Sequence, residues 1–430
     1  MTVIQIISLL IVTAGSFWLV YRLPVFRKTG LNAQWRLGLW TAKLMASLAL
    51  FALYTWYYPQ DTADMYKYFN DGEVIATQSE SIATYAKIIT GIGMDDPEVQ
   101  ACLEQTSHWN RQYLNGVWND NRTLIRFNAL LYPLTGGSIL AHTFIMAFLA
   151  FLGLTLLYRG ITMLTRGSKW LALSVFMVPS VWLWSSGLLK EGLLMLNTGL
   201  LFFAVIKLSR KFSTKTLLLV LLAVFFFVLT KVYVLLCMVP GLIWLLSTGK
   251  PGKKPALKRS ILWFLLLHAG MIIMVWLASL ASPKTDMFRI IEQKQYDFVN
   301  MVDSSENVGS AINLPDIEAN AISLLKHVPQ GFANSLLRPH PLEINSPVML
   351  LAALEKLAFL LLILLVIFRH RKLRHGEQNL LFFTLSFVII LFSLTGISTP
   401  VLGALVRYNI PALPFLAAVL IMNLWEKSKK

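Results

Sequence analysis

The sequence predicts an all-α, polytopic integral membrane protein with about 11 transmembrane helices, and three observations carry that prediction. Hydrophobic residues make up 56% of the chain and charged residues 14%, against about 25% charged in an average soluble domain. Apolar runs of roughly 20 residues recur along the chain, the length that crosses a hydrocarbon core of about 30 Å. In lipid each backbone amide must be bonded within its own segment, so such runs become helices; the apolar–polar alternation of barrel strands is missing. The third observation is how charge is divided among the connections.

Taken in order, the spans fall near 3–21, 37–59, 137–158, 170–186, 188–207, 216–230, 232–248, 260–281, 347–368, 379–396 and 408–425. The connections 22–36, 159–169, 207–215, 249–259, 369–375 and 427–430 hold 23 of the 38 Lys and Arg and no Asp or Glu. The alternate segments, chiefly 60–136 and 282–346, hold 18 of the 22 acidic residues and only ten Lys and Arg. Short basic connections stay in the cytoplasm, so the expected topology is N-terminus out and C-terminus in, with two long outer loops. The net charge of +16 is therefore a topology signal and a match to anionic lipid headgroups, not a nucleic-acid footprint. No repeat or soluble domain interrupts the pattern, so residues 1–430 read as a single transmembrane domain. The first run lacks a basic leader and a small-residue cleavage site and reads as a retained span. The two cysteines, Cys102 and Cys237, imply no disulfide framework.

The chemistry-bearing residues gather in the outer segments. The first, 60–136, holds the candidate active site. It opens with Asp61, Asp64, Tyr66, Tyr68, Asp71, Gly72 and Glu73; on a helix Asp64, Tyr68 and Asp71 share one face, with Asp61 a turn earlier. Beyond Gly91 and Gly93 come Trp109, Tyr113 and Trp118, aromatics suited to the headgroup level, then Arg122 and Arg126. The second, 282–346, ends in Arg338, Pro339, His340, Pro341 and Glu343, where two prolines forbid a regular helix and leave Arg338 and His340 on a stiff extended piece. Between spans four and five, Ser186, Lys190 and Asn197 fall on one helical stripe, with Glu191 beside it. Lys231 and Tyr233 mark the turn between spans six and seven, and Arg407 and Tyr408 open the last span. Glu355 and Lys356 lie roughly 13 Å into span nine at 1.5 Å per residue. With Lys43 they are the charges well inside spans.

The seven His show no metal-ligand spacing, and no nucleophile triad, phosphate-binding glycine loop or zinc motif occurs. That weighs against ATPases and metalloproteases. No cofactor is expected, and a divalent cation is not indicated. Cations at a membrane surface suit a phosphate or pyrophosphate headgroup, and a nearby carboxylate can take the proton of an attacking hydroxyl. Three activities fit these parts: sugar transfer from a lipid-linked donor, polymerisation of polysaccharide repeat units, and transport of lipid-linked glycans.

Four stretches carry a resemblance: Asp61 to Gly72; Leu130 to Ser138, leading to His142; Pro179 to Glu191; and Arg407 to Pro414. Together they resemble the GT-C superfamily of polyprenol-linked glycosyltransferases, in its small bacterial inner-membrane members. The resemblance implies a catalytic Asp in the first outer loop, at Asp61 or Asp64. Lys190, Lys231, Arg338 and Arg407 would hold the donor phosphate, with Tyr68, Asp71, Glu191, His340 and Tyr408 in support. It implies as partners membrane lipid, a polyprenyl-phosphate-linked sugar and a glycan or lipid-linked acceptor, and it implies a multi-pass location in the inner membrane.

Overall fold

The computed structural model describes residues 2–60, 63–110, 120–248, 257–281, 286–303, 310–369 and 371–425. Among them regular structure is helical, and one isolated antiparallel bridge pairs Ala311 with Val401. Among the described residues seven helices are long and apolar enough to cross a membrane: Val3–Arg22, Ala33–Tyr57, Ile139–Leu164, Lys190–Arg210, Lys258–Ala281, Pro347–Phe368 and His375–Ser398. Counting the bent pair Leu402–Asn409 and Leu413–Leu424 as one span makes eight. Lys258–Ala281 is apolar along its length, and none of its most apolar stretch is buried. A helix with that surface belongs in hydrocarbon.

Proline decides where the remaining apolar runs depart from the predicted spans. The run 170–186 forms two short helices, Lys169–Phe176 and Pro179–Trp184. Pro179 has no N–H to give and pushes Val178 out of the helical region. The last run breaks likewise, at Pro411, and its two helices meet at 64°. The runs 216–230 and 232–248 form Thr214–Leu229 and Val232–Thr248, 16 and 17 residues long. The helix Lys190–Arg210 starts at Lys190, so Ser186 lies in the preceding turn and the expected stripe holds only Lys190 and Asn197.

The segments 60–136 and 282–346 are both helical over much of their described length. The first holds Asp64–Gln78, Ile82–Thr90, Pro97–Glu104 and Asn121–Thr135. The second holds Met287–Asp303, Ala321–Leu337 and the 3-10 turn Pro341–Glu343.

The chain divides into two compact units, residues 1–156, 182–199 and 224–232 in the first and 157–181, 200–223 and 233–430 in the second. In the first unit Asp64–Gln78 lies against Asn121–Thr135 at Gly72, where an added Cβ would stand 2.6 Å from Asn128 Cβ. Ile139–Leu164 meets Lys190–Arg210 at another glycine contact: a Cβ on Gly199 would lie 1.9 Å from the Gly153 carbonyl oxygen. Backbones approach this closely only over small residues. Lys43, buried in its span, donates to Ser185 Oγ at 2.6 Å.

In the second unit Ala321–Leu337 lies on His375–Ser398 at Gly331 and Gly396. The adjacent charges Glu355 and Lys356 are both buried and turn to different helix ends. Glu355 Oε2 accepts the N–H of Ser180 at 2.5 Å, at the start of Pro179–Trp184. Lys356 Nζ donates to the carbonyl of Ser335 at 2.6 Å, in the last turn of Ala321–Leu337. An anion at a helix N-terminus and a cation at a C-terminus are each favoured by the orphan backbone groups there.

Candidate functional site

The first unit gathers most of the expected site residues. Ala63 precedes the helix Asp64–Gln78, so Asp64 sits in its first turn, where the orphan N–H groups favour a carboxylate. The shared face follows the expected spacing: Tyr68 and Asp71 are buried and Asp64 is half-buried. Asp61 lies outside the described residues.

Asp71 points away from any open surface. Its two oxygens accept the N–H groups of Ser107 at 3.0 Å and His108 at 2.8 Å, tying the helix to the turn that follows Pro97–Glu104. Tyr68 faces the ammonium of Lys190, which stands 5.5 Å from the ring centroid. The same ammonium is 2.6 Å from Asp120 Oδ1. One residue on, Glu191 is fully buried, and its Oε1 is 3.4 Å from Lys231 Nζ. The helix ends that bring these groups together are fastened by polar bonds. Thr123 Oγ1 donates to the carbonyl of Leu229, and Asn197 Nδ2 donates to Thr230 Oγ1 at 3.3 Å. Two buried ammoniums, three carboxylates and a tyrosine thus belong to one unit. Removing one member of such a buried pair leaves an uncompensated charge, at a cost of about 3–5 kcal/mol.

Around this group the described part of segment 60–136 is tightly bonded. The Tyr132 hydroxyl donates to Glu73 at 2.6 Å, and that bond, with burial and the neighbouring charge, pushes the phenol up to about 12. Lys87 and Asp96 pair directly; the bond lifts the ammonium and lowers the carboxyl from their usual ranges. Trp109 departs from its expected place at the headgroup level: it is buried, with the guanidiniums of Arg122 and Arg126 5.1 and 5.0 Å from its ring centroid. Cation–π attraction to a desolvated indole outweighs exposing it. Tyr113 and Trp118 lie outside the described residues.

The other expected residues belong to the second unit. Arg338 and His340 are extended, as the flanking prolines predict, and both turn to Glu343, at 2.9 and 3.6 Å from its Oε1. Arg407 and Tyr408 lie in Leu402–Asn409, half-buried. The Tyr408 ring meets the Lys294 ammonium at 5.3 Å, and Lys294 also stands 4.5 Å from the Tyr233 ring centroid.

Asp120 and Lys294 went unassigned in the sequence. Asp120 directly precedes a helix but has no spacing relation to Lys190, 70 positions away. Lys294 is one polar residue among many in the amphipathic Met287–Asp303. Among the described residues no three His, Cys, Asp or Glu side chains gather as metal ligands would. Comparison of the chain with protein-family models, with curated proteins and with solved structures finds no match.

Proposed function

We propose that this chain is a membrane glycosyltransferase that moves a sugar from a polyprenyl-phosphate-linked donor to a glycan or lipid-linked acceptor at the periplasmic face of the inner membrane. The observation that carries this reading is the set of buried ammoniums, Lys190 and Lys231, each held against a carboxylate in the same unit as Tyr68 and Asp64. The reading includes eleven spans, with the N-terminus out and the C-terminus in, and resembles the GT-C pattern.

In the proposed reaction Asp64, or Asp61, takes the proton of an acceptor hydroxyl as its oxygen bonds to the anomeric carbon. The bond from that carbon to the phosphate oxygen breaks, and its electron pair leaves on the phosphate. Lys190 and Lys231 neutralise that growing charge, so the leaving group departs without protonation. No cofactor takes part. Roles for Arg338 and Arg407 on the donor phosphate, and for His340 and Tyr408 beside it, rest on the sequence alone.

A transporter for lipid-linked glycans is the second reading. Two broken apolar helices and a buried mid-span carboxylate, Glu355, favour it. Mass spectrometry of lipid-linked and surface glycans separates the readings. It compares cells with the chain, without it, and with Asp61→Asn, Asp64→Asn or Lys190→Gln. Transfer predicts that one sugar is lost in the deletion and in a variant that still inserts stably. Loss of whole-repeat growth instead indicates a polymerase. An untranslocated glycan that accumulates only in the deletion sinks the transferase.

A further inference from the structure

Arg122 and Arg126 are one turn apart on Asn121–Thr135, and both lie on the same buried indole. Like charges at this spacing repel. Burial disfavours the charge on both guanidiniums, and each is lowered from the usual arginine range. Both side chains are half-buried, so water reaches them, and among the described residues no ion pair joins either group to a carboxylate. Four nearby acids have other partners: Asp71 the Ser107 and His108 amides, Asp120 Lys190, Glu73 Tyr132 and Glu98 Thr84, while Asp95 and Glu104 are exposed. The intervening residues 111–119 contain no Asp or Glu.

The two groups are also aimed. Arg122 Nε donates to the Trp109 carbonyl at 3.2 Å and its Nη2 to Asn110 Oδ1 at 3.0 Å. Arg126 Nε donates to the Ile88 carbonyl at 2.8 Å. These bonds fix the planes of both forks and leave the remaining N–H donors without an acceptor among the described residues. Gly91, at φ +76°, packs against the Arg126 guanidinium, where an added Cβ would stand 3.0 Å from Nη2. A carboxylate has oxygens for one fork. A phosphate has enough for two, and it carries the charge to balance both.

We propose that Arg122 and Arg126, laid together on Trp109, form a binding site for a phosphate group. The group is carried by an anionic lipid headgroup or by a soluble or lipid-linked phosphate. This proposal does not rest on the glycosyltransferase reading.

The test uses the full chain in phosphatidylcholine nanodiscs. Arginines are labelled with phenylglyoxal, and the sites are mapped by mass spectrometry alone, with inorganic pyrophosphate, and with added phosphatidylglycerol. Protection of Arg122 and Arg126 by pyrophosphate identifies a phosphate that can be free. Protection by phosphatidylglycerol alone identifies a headgroup. Equal labelling under all three conditions overturns the proposal. Where protection is seen, Arg126→Gln should weaken the protecting ligand about tenfold, the effect of one lost charge-assisted contact. Unchanged affinity in a variant that keeps the wild-type melting temperature also overturns it. The labelling result on the unmodified chain stands by itself if the variant does not fold.

Discussion

Asp71 accepts two backbone N–H groups, one on each oxygen, and an amide in its place keeps only one of those bonds. Asp71→Asn should therefore lower stability by about 1–3 kcal/mol, since a buried N–H is left facing an NH₂ group. Thermal unfolding in detergent measures this, and an unchanged midpoint would show that the clamp contributes nothing. Tyr132 makes a second prediction, in pH. Its phenol is lifted above the ordinary value of 10 to about 12. The folded state thus holds the proton more tightly than the unfolded chain does. The stabilisation is complete below pH 10 and is lost as pH rises through about 12. Tyr132→Phe should flatten that part of the stability profile, measured by unfolding at alkaline pH. The sequence made the Asp64–Tyr68–Asp71 face legible because it is a periodicity. It hid the partners: the turn at Ser107 closes over 36 positions, and no spacing rule links Asp120 to Lys190.

Helices in this chain meet where glycine removes a side chain. At Gly199 a methyl group would sit 1.9 Å from the Gly153 carbonyl oxygen, which is backbone and cannot swing aside. Gly199→Ala should cost about 3 kcal/mol or more, above the usual range for overpacking. Gly38→Ala, with nothing within 4 Å of its added Cβ, is the control and should cost nothing measurable. Equal melting temperatures for the two would show that the crossing relaxes. Element existence was legible from apolar runs of span length, and the breaks at Pro179 and Pro411 follow from prolines visible in those runs. The start of Lys190–Arg210 was not legible, because Ser185, Ser186 and Gly187 form a turn inside a continuously apolar stretch. Nor did the segments 60–136 and 282–346 announce their helices, whose short lengths and polar faces give weak periodicity.

Over the whole chain, the division of basic from acidic connections makes the proposed topology testable. Single cysteines at Thr90 and Arg166, in a background with Cys102 and Cys237 replaced, should differ in intact cells. A membrane-impermeant thiol reagent should label the Thr90→Cys position and spare Arg166→Cys until the membrane is opened. The reverse pattern, or equal labelling, rejects N-terminus out and C-terminus in. Charge bias and hydropathy made the membrane class legible, because both are sums over many residues. The division into two units was not, because it depends on contacts between distant segments. Glu355 and Lys356 bear on how such a chain is built. Ser180 and Ser335, which receive them, both precede the span Pro347–Phe368 in the order of synthesis. When the ribosome delivers this charged pair, both docking points have already been made, so neither charge has to wait in lipid for a partner still to be translated. A fragment beginning after Ser335 should insert this span less efficiently than the full chain does, as read by glycosylation mapping in microsomes; equal insertion would show that the span enters the membrane unaided.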